Sequence, residues 1–318
     1  MDFIYHQIFK AHDTGMHPEN SKRLEAFGDL KTTELPFDES VLGIIHEEAY
    51  IQMVKAYCAS GRPLDGDTHT SKKSYESAVY AVNATILASE RNDMALVRPP
   101  GHHAYPDHAS GFCIFNNVAI AAQRLANQGK RVLIFDFDGH LGDGTSSIFY
   151  DSDQVMYWSI HQFPAFPGHG SEHEIGNSKG KGYTINVPLP PGSGDDIFLD
   201  ALRSTLPIAK QFAPDVVAVS AGFDAHQYDL LLNLRLTEDT FYKIGEMLTA
   251  NFKNVFATLE GGYNIEELPK CLFNFVNGIN AQPKQFSEKC TETNIKIWHE
   301  YEIRITNLLV QLAPYWKI

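Results

Sequence analysis

Four apolar runs that each end abruptly in a dense polar cluster constrain this chain more than any other feature. Ala95-Leu96-Val97 leads into Arg98-Pro99-Pro100-Gly101-His102-His103, and Arg131-Val132-Leu133-Ile134-Phe135 leads into Asp136-Phe137-Asp138-Gly139-His140. The run from Asp215 to Val219 leads into Ser220-Ala221-Gly222-Phe223-Asp224, and Val255 to Leu259 leads into Glu260-Gly261-Gly262-Tyr263. A run that is apolar on both faces reads as a strand buried in a parallel sheet. Val155 to Ile160 reads the same way. Helical patterns lie between these runs: Ser74 to Glu90, Asn117 to Gln128 closed by Gly129, Asp196 to Phe212, and Glu238 to Phe252 behind Thr237 as N-cap. A final helix is expected from Thr291 to Leu312. Strands that alternate with helices predict an α/β fold with a central, mostly parallel sheet flanked by helices. No linker divides the chain, so residues 1–318 read as a single domain. In such sheets the strand C-termini converge on one edge, where ligands bind. The four polar clusters are therefore expected to meet in one active site.

Composition narrows the partners. The 318 residues carry a formal net charge of −13, which argues against nucleic acid as a direct ligand. It favours a cationic substrate through long-range attraction, and solubility alone would also account for it. Cys58, Cys113, Cys271 and Cys290 form no CxxC and read as reduced thiols. The N-terminus has no basic stretch leading into an apolar run, and no segment is apolar enough to span a bilayer. The expectation is a cytoplasmic protein with no membrane partner.

The clusters suggest a chemistry. Asp138 and His140 are two residues apart at a strand end, so both can face one side, and Asp224 can join them from another strand end. Two carboxylates and an imidazole leave an open position on a zinc ion, and iron(II) would accept the same set. A buried polar cap or ion pair is the competing reading of Asp-x-His alone. His102 and His103 lie in a turn, where both can point inward and serve proton transfer. Asp136 and Asp143 are positioned to fix their tautomers. Gly261 and Gly262 permit close backbone approach, and the Tyr263 hydroxyl can donate to an oxyanion; a turn with a packed aromatic would look the same.

Taken together, the chain resembles the histone deacetylase superfamily, which includes acetylpolyamine amidohydrolases and acetoin-utilisation proteins. The resemblance is carried by His12-Asp13-Thr14-Gly15-Met16-His17-Pro18-Glu19, Arg98 to His103, and Gly111-Phe112-Cys113 with Asn116-Asn117. It continues through Asp136 to Thr145, Phe166-Pro167-Gly168, Asn186 to Pro190, Ser220 to Asp224 and Leu259 to Asn264. These segments stand in family order to about residue 280, and their wording is closest to the class II branch.

The resemblance implies one catalytic zinc on Asp138, His140 and Asp224. It implies His103 as general base and acid oriented by Asp143, His102 with Asp136 as companion pair, and Tyr263 polarising the acetyl carbonyl. Phe112 and Phe166 would line a tunnel beside Gly111, Asp67 would hold the substrate backbone at the rim, and Arg23 would line the cavity below the zinc. One potassium ion is implied at Asp136, Asp138, His140, Ser159 and Ile160, and a second at Phe149, Ser152, Val155 and Tyr183. The implied reaction is hydrolysis of the acetyl amide on a lysine side chain of a protein or peptide. An acetylpolyamine is the alternative substrate, and a binding module without turnover the alternative function. Three positions depart from the family pattern. Leu141 replaces a second histidine and puts the surroundings of the zinc ligands in question. Asp143, where class II chains often carry asparagine, is expected to make His103 more basic. Leu230 replaces a proline, and an ungapped count from Asp224 places Leu231 at the tunnel mouth, where polyamine-selective relatives can carry an acid. An apolar gate of this kind favours a lysine stem over a second ammonium group.

Overall fold

The apolar runs become the middle of a seven-stranded sheet. In the computed structural model, which describes residues 1–318, the strands are β1 (Phe3–Ile4), β2 (Met94–Ala95), β3 (Val132–Asp136), β4 (Val155–Gln162), β5 (Thr184–Leu189), β6 (Val216–Ala221) and β7 (Val255–Leu259). Their spatial order is β1-β2-β7-β6-β3-β4-β5, and every neighbouring pair is parallel. The sheet is thus parallel throughout. Every residue of β3 to β7 is buried, which explains why those runs show no polar alternation.

Two strands escape the sequence reading. β1 has only two residues, and β5 contains Thr184, Asn186 and Pro188. Proline lacks the N–H of a central strand, but β5 forms one edge of the sheet, where a proline is tolerated.

Nine helices flank the sheet: α1 (Lys22–Glu25), α2 (Glu48–Ser60), α3 (Ser74–Arg91), α4 (Asn117–Asn127), α5 (Asp143–Phe149), α6 (Asp195–Phe212), α7 (Glu238–Asn251), α8 (Leu268–Ile279) and α9 (Ile295–Leu312). Thr237 precedes α7 as expected, but its side chain makes no cap. Its hydroxyl donates instead to Asp195, whose carboxylate also accepts the N–H groups of Thr237 and Thr291 at 2.9 Å. One buried acid therefore ties together the starts of α6 and α7 and the segment before α9. That last helix begins later than expected, at Ile295, where the Asn294 side chain accepts the Lys296 N–H.

Connectivity decides where a site can form. After β3 the chain moves through α5 to β4 on one side, whereas after β6 it moves through α7 to β7 on the other. β3 and β6 are themselves neighbours, with Asp136 beside Ser220. The loops leaving them diverge and open a crevice at this switch point. Beneath it, Phe137 and Phe223 pack on Phe241 of α7 and Phe275 of α8, with ring centroids 5.2–6.3 Å apart. These aromatics anchor the loops that carry Asp138 and Asp224.

α7 and α8 lie close together because glycines meet at their crossing. A Cβ at Gly245 would sit 2.3 Å from the Phe275 carbonyl oxygen, and one at Gly278 would sit 2.2 Å from that of Tyr242. Backbone cannot yield as a side chain can. Gly245→Val is therefore expected to destabilise the protein by roughly 1–3 kcal/mol or more, read as a lower urea midpoint.

Candidate active site

The crevice floor is built from the ends of β3, β6 and β7. Nδ1 of His140 lies 2.7 Å from Oδ2 of Asp224 and 3.3 Å from Oδ1 of Asp138. The ligand-capable atoms of these three residues all lie within 4.8 Å of one another. Their remaining oxygens are already held: Gly139 N–H donates to Asp224 Oδ1 at 2.7 Å, His140 N–H to Asp138 Oδ1 at 2.9 Å and Gly261 N–H to Asp138 Oδ2 at 2.8 Å. Only glycine fits around them, since a Cβ at Gly222 would come within 1.9 Å of Asp138 Oδ2 and one at Gly261 within 2.6 Å.

This donor set suits a divalent cation. Burial, and then the neighbouring Asp138 carboxylate, push Asp224 up to about 7. Burial opposes a charge on His140, but Asp224 and Asp138 outweigh it and raise the imidazole to about 10. Two carboxylates crowded out of water in this way draw positive charge to the point between them, and one imidazole with two oxygens is a familiar ligand set for a metal that keeps a position open. Two further groups lie within similar reach, His102 with Cys113 and Glu260, and His226 with Glu238 and Glu267.

The two histidines of the turn after β2 both face inward, with ring centroids 4.0 Å apart. His102 Nδ1 pairs with Asp136 Oδ2 at 3.1 Å and His103 Nδ1 with Asp143 Oδ1 at 2.6 Å. Their environments separate them. Burial disfavours a charged His102, but Asp138, Asp136 and Glu260 outweigh it and hold its pKa well above the ordinary value. Burial, and next the charge on His102, bring His103 down to about 4. Asp143 does pull His103 upward, as its carboxylate suggests, but more weakly than burial pulls down. Asp143 thus makes His103 more basic than it would otherwise be, while burial and His102 set its net position low.

A cavity of about 240 Å³ opens above this floor, lined by Asp67, His103, Gly111, Phe112, His140, Phe166, Leu231 and Tyr263. The Phe112 ring meets that of Tyr263 edge-on at 5.7 Å, and the Phe166 ring meets that of His103 at 5.1 Å. Burial pushes the Tyr263 phenol well above its ordinary pKa, so it stays a donor. Leu231 lies at the mouth and is 39% exposed. Gly261 and Gly262 do not line the cavity: Gly261 lies against the two carboxylates, and the open side of Gly262 faces Leu268 and Phe223. Leu141 is buried in the core, beside the spot where a Cβ on Gly170 would fall, so an apolar side chain is satisfied there.

The first set of cation positions gathers at the strand ends, where Asp136 pairs with Ser159 in the β3–β4 register and Asp136 Oδ1 accepts the Asp138 N–H. Ile160 follows Ser159 in β4, and His140 lies on the adjoining loop. The second set lies at the other end of β4. Ser152 N–H donates to the Phe149 carbonyl at 2.9 Å, Val155 N–H to the Ser152 hydroxyl at 3.0 Å, and Tyr157 N–H to the Tyr183 carbonyl at 2.9 Å.

Three supporting acids were not singled out from the sequence. Glu260 accepts the N–H groups of Gly101 and His102 at 2.7 and 3.1 Å, clamping the histidine turn to the end of β7. Asp229 Oδ2 accepts the N–H groups of Tyr263 and Asn264 at 2.7 and 3.0 Å. Glu19 bonds both Arg98 and Arg23, and Arg23 in turn donates from Nε to the Gly262 carbonyl at 2.7 Å with its guanidinium 5.0 Å from the centre of the Tyr263 ring. Glu260 and Asp229 show in the sequence only as an acid in a glycine-rich or leucine-rich segment, and Glu19 only as the last residue of the His12 to Glu19 stretch.

The parallel sheet thus carries a carboxylate–imidazole trio at its switch point, faced by the paired histidines of the turn after β2. Residues 11–279 match the histone deacetylase domain, and the chain belongs to that family. It is 34% identical over 291 residues to a probable deacetylase of Archaeoglobus fulgidus, covering 83% of this chain and 81% of that one. It is 38% identical over 294 residues to an acetylpolyamine amidohydrolase of Burkholderia pseudomallei, covering 88% and 84%. The crystal structure of the HDA15 HD domain superposes with a TM-score of 0.89 at 27% identity, covering 99% of this chain and 96% of that one. No helix is long and apolar enough to cross a membrane.

Glu19 offers a test of how the tyrosine loop is supported. Arg23 and Arg98 are both fully buried, and burial works to raise the Glu19 carboxyl while the two arginines and His12 hold it down at about 2. Glu19→Gln removes the charge that compensates two buried guanidinium groups. A loss of about 3–5 kcal/mol in unfolding free energy is expected by chemical denaturation.

Proposed function

We propose that this chain is a metal-dependent lysine deacetylase. The reading is carried by one observation: an aromatic-walled cavity is lined by His103, Tyr263 and His140, and His140 is the member of the Asp138, His140 and Asp224 trio that faces it. Asp138, His140 and Asp224 would hold the ion, with zinc favoured and iron(II) a substitute. When bound, that ion supplies Lewis acidity to the acetyl carbonyl and to water. The chain's own residues do the rest. Phe112 and Phe166 grip the methylene stem of the lysine, and Tyr263 donates a hydrogen bond to the carbonyl oxygen as charge develops there. His103, neutral and held through Nδ1 by Asp143, takes a proton from the attacking water at Nε2 and returns one to the departing amine. His102, paired with Asp136 and raised by the acids around it, lowers the pKa of His103 beside it. Asp67 at the mouth would accept the peptide N–H groups of the substrate. The two sets of carbonyls around β3 and β4 are assigned to potassium, and the cytoplasm is the proposed location.

A free acetylpolyamine is the second reading, favoured by the Burkholderia relative and by the net charge of −13. Leu231 weighs against it. It lines the cavity directly and offers no partner to a distal ammonium group, whose unpaired desolvation is costly.

Two measurements test these assignments. Tyr263→Phe should retain its metal and lose on the order of 10²-fold or more in kcat on an acetyl-lysine peptide; near-normal turnover would reduce Tyr263 to packing. Leu231→Glu should gain activity on acetylspermidine relative to the peptide. A wild-type protein that already prefers acetylspermidine by about tenfold in kcat/KM, roughly 1.4 kcal/mol, would overturn the gate.

A further inference from the structure

We propose that a second divalent cation binds behind the active site, between His226, Glu238 and Glu267, with Glu288 at its edge. The ligand-capable atoms of His226, Glu238 and Glu267 lie within 4.8 Å of one another. Donors around a single ion at zinc-like bond lengths of about 2.0–2.2 Å sit up to roughly 4.4 Å apart, so small side-chain rotations bring all three onto one ion. His226 and Glu238 are 2% and 3% exposed. Glu267 and Glu288 close the cluster from the surface side, 13% and 18% exposed at the side chain.

The charges are unbalanced. Three carboxylates face one lysine, Lys270, which holds Glu267 through both oxygens at 2.9 and 3.0 Å. His226 Nε2 faces Glu288 at 2.8 Å, and for Nε2 to ligate a cation the ring proton moves to Nδ1, releasing the long 3.4 Å contact from the Tyr228 N–H. Oε2 of Glu238, buried within the cluster, accepts no hydrogen bond from any donor. A buried carboxylate oxygen without a donor is costly unless a cation meets it. One imidazole nitrogen with several carboxylate oxygens suits zinc or manganese rather than magnesium, which avoids imidazole.

The position gives such an ion something to do. His226 is two residues beyond Asp224 on the loop that also carries Asp229 and Leu231, and Glu267 is four residues beyond Tyr263. Glu238 opens α7, and Glu288 belongs to the segment before α9. One ion would fasten the two loops that bear Asp224 and Tyr263 to each other and to the C-terminal segment. Its role is to hold those loops, with no part in bond making.

The test separates this site from the one at Asp224. Metal-stripped wild type, Glu238→Gln and Asp224→Ala are each incubated with Zn2+, freed of excess by gel filtration and assayed for bound zinc by elemental analysis. Wild type should retain about two equivalents and each variant about one. Equal zinc in wild type and Glu238→Gln overturns the second site, whatever the Asp224→Ala result. Equal zinc in wild type and Asp224→Ala sinks the catalytic assignment and leaves this one standing. A thermal readout guards against a variant that folds poorly. Zn2+ should raise the melting temperature of Asp224→Ala, and adding Glu238→Gln or His226→Asn to that chain should abolish the rise. No rise in Asp224→Ala overturns the site on its own.

Discussion

Buried negative charge is the constraint on which the rest of the molecule depends. Asp136, Asp138, Asp224 and Glu260 are all at or below 1% exposure, grouped at the ends of adjacent strands. Carboxylates removed from water must be met by donors and positive charge. Most of the local architecture can be understood as meeting that need. The glycines admit backbone N–H groups to within hydrogen-bonding distance, His102 stays charged between the acids, and the turn that carries it is held by Glu260. The same demand makes the trio of Asp138, His140 and Asp224 receptive to a dication.

The separation of the two histidines follows from this arrangement. They are neighbours in sequence and nearly equally buried, yet one is driven toward the charged state and the other away from it. His102 faces Asp138, Asp136 and Glu260, whereas His103 has only Asp143 and feels the charge on His102. Pushing two titratable groups apart gives one group able to accept a proton and one that fixes the local field, which is a general means of running acid and base chemistry at a single pH. Arg23 and Glu19 extend the pattern below the tyrosine loop, where a charged network replaces the apolar packing found under Phe137 and Phe223.

The aromatic walls and the polar floor come from different levels of organisation. Phe112 and Phe166 reach the cavity on loops far apart in the chain, and Leu231 reaches it on the loop beyond Asp224. That loop is pinned where Asp229 takes the N–H groups of Tyr263 and Asn264, so the gate and the phenol are mechanically joined. A residue at the mouth that alters selectivity would therefore act on a loop shared with the chemistry.

The sequence by itself determined the parallel sheet, the edge at which the polar clusters meet and the identity of the residues there. Unbroken apolar runs such as Arg131 to Phe135 can be buried only between layers, and the polar residues that end them must then gather at one edge. Only the tertiary structure decided how those residues share charge. Asp143 raises His103 as the sequence suggests, but the net position is set by burial and by the charge on His102, which the distant acids Asp136, Asp138 and Glu260 favour. The edge strand β5, the tie that Asp195 makes between the starts of α6 and α7 and the clamps at Glu260 and Asp229 were likewise invisible, because each joins segments with no periodic pattern to mark them. Local sequence sets periodicity and turn chemistry; burial and long-range electrostatics exist only once the chain has closed.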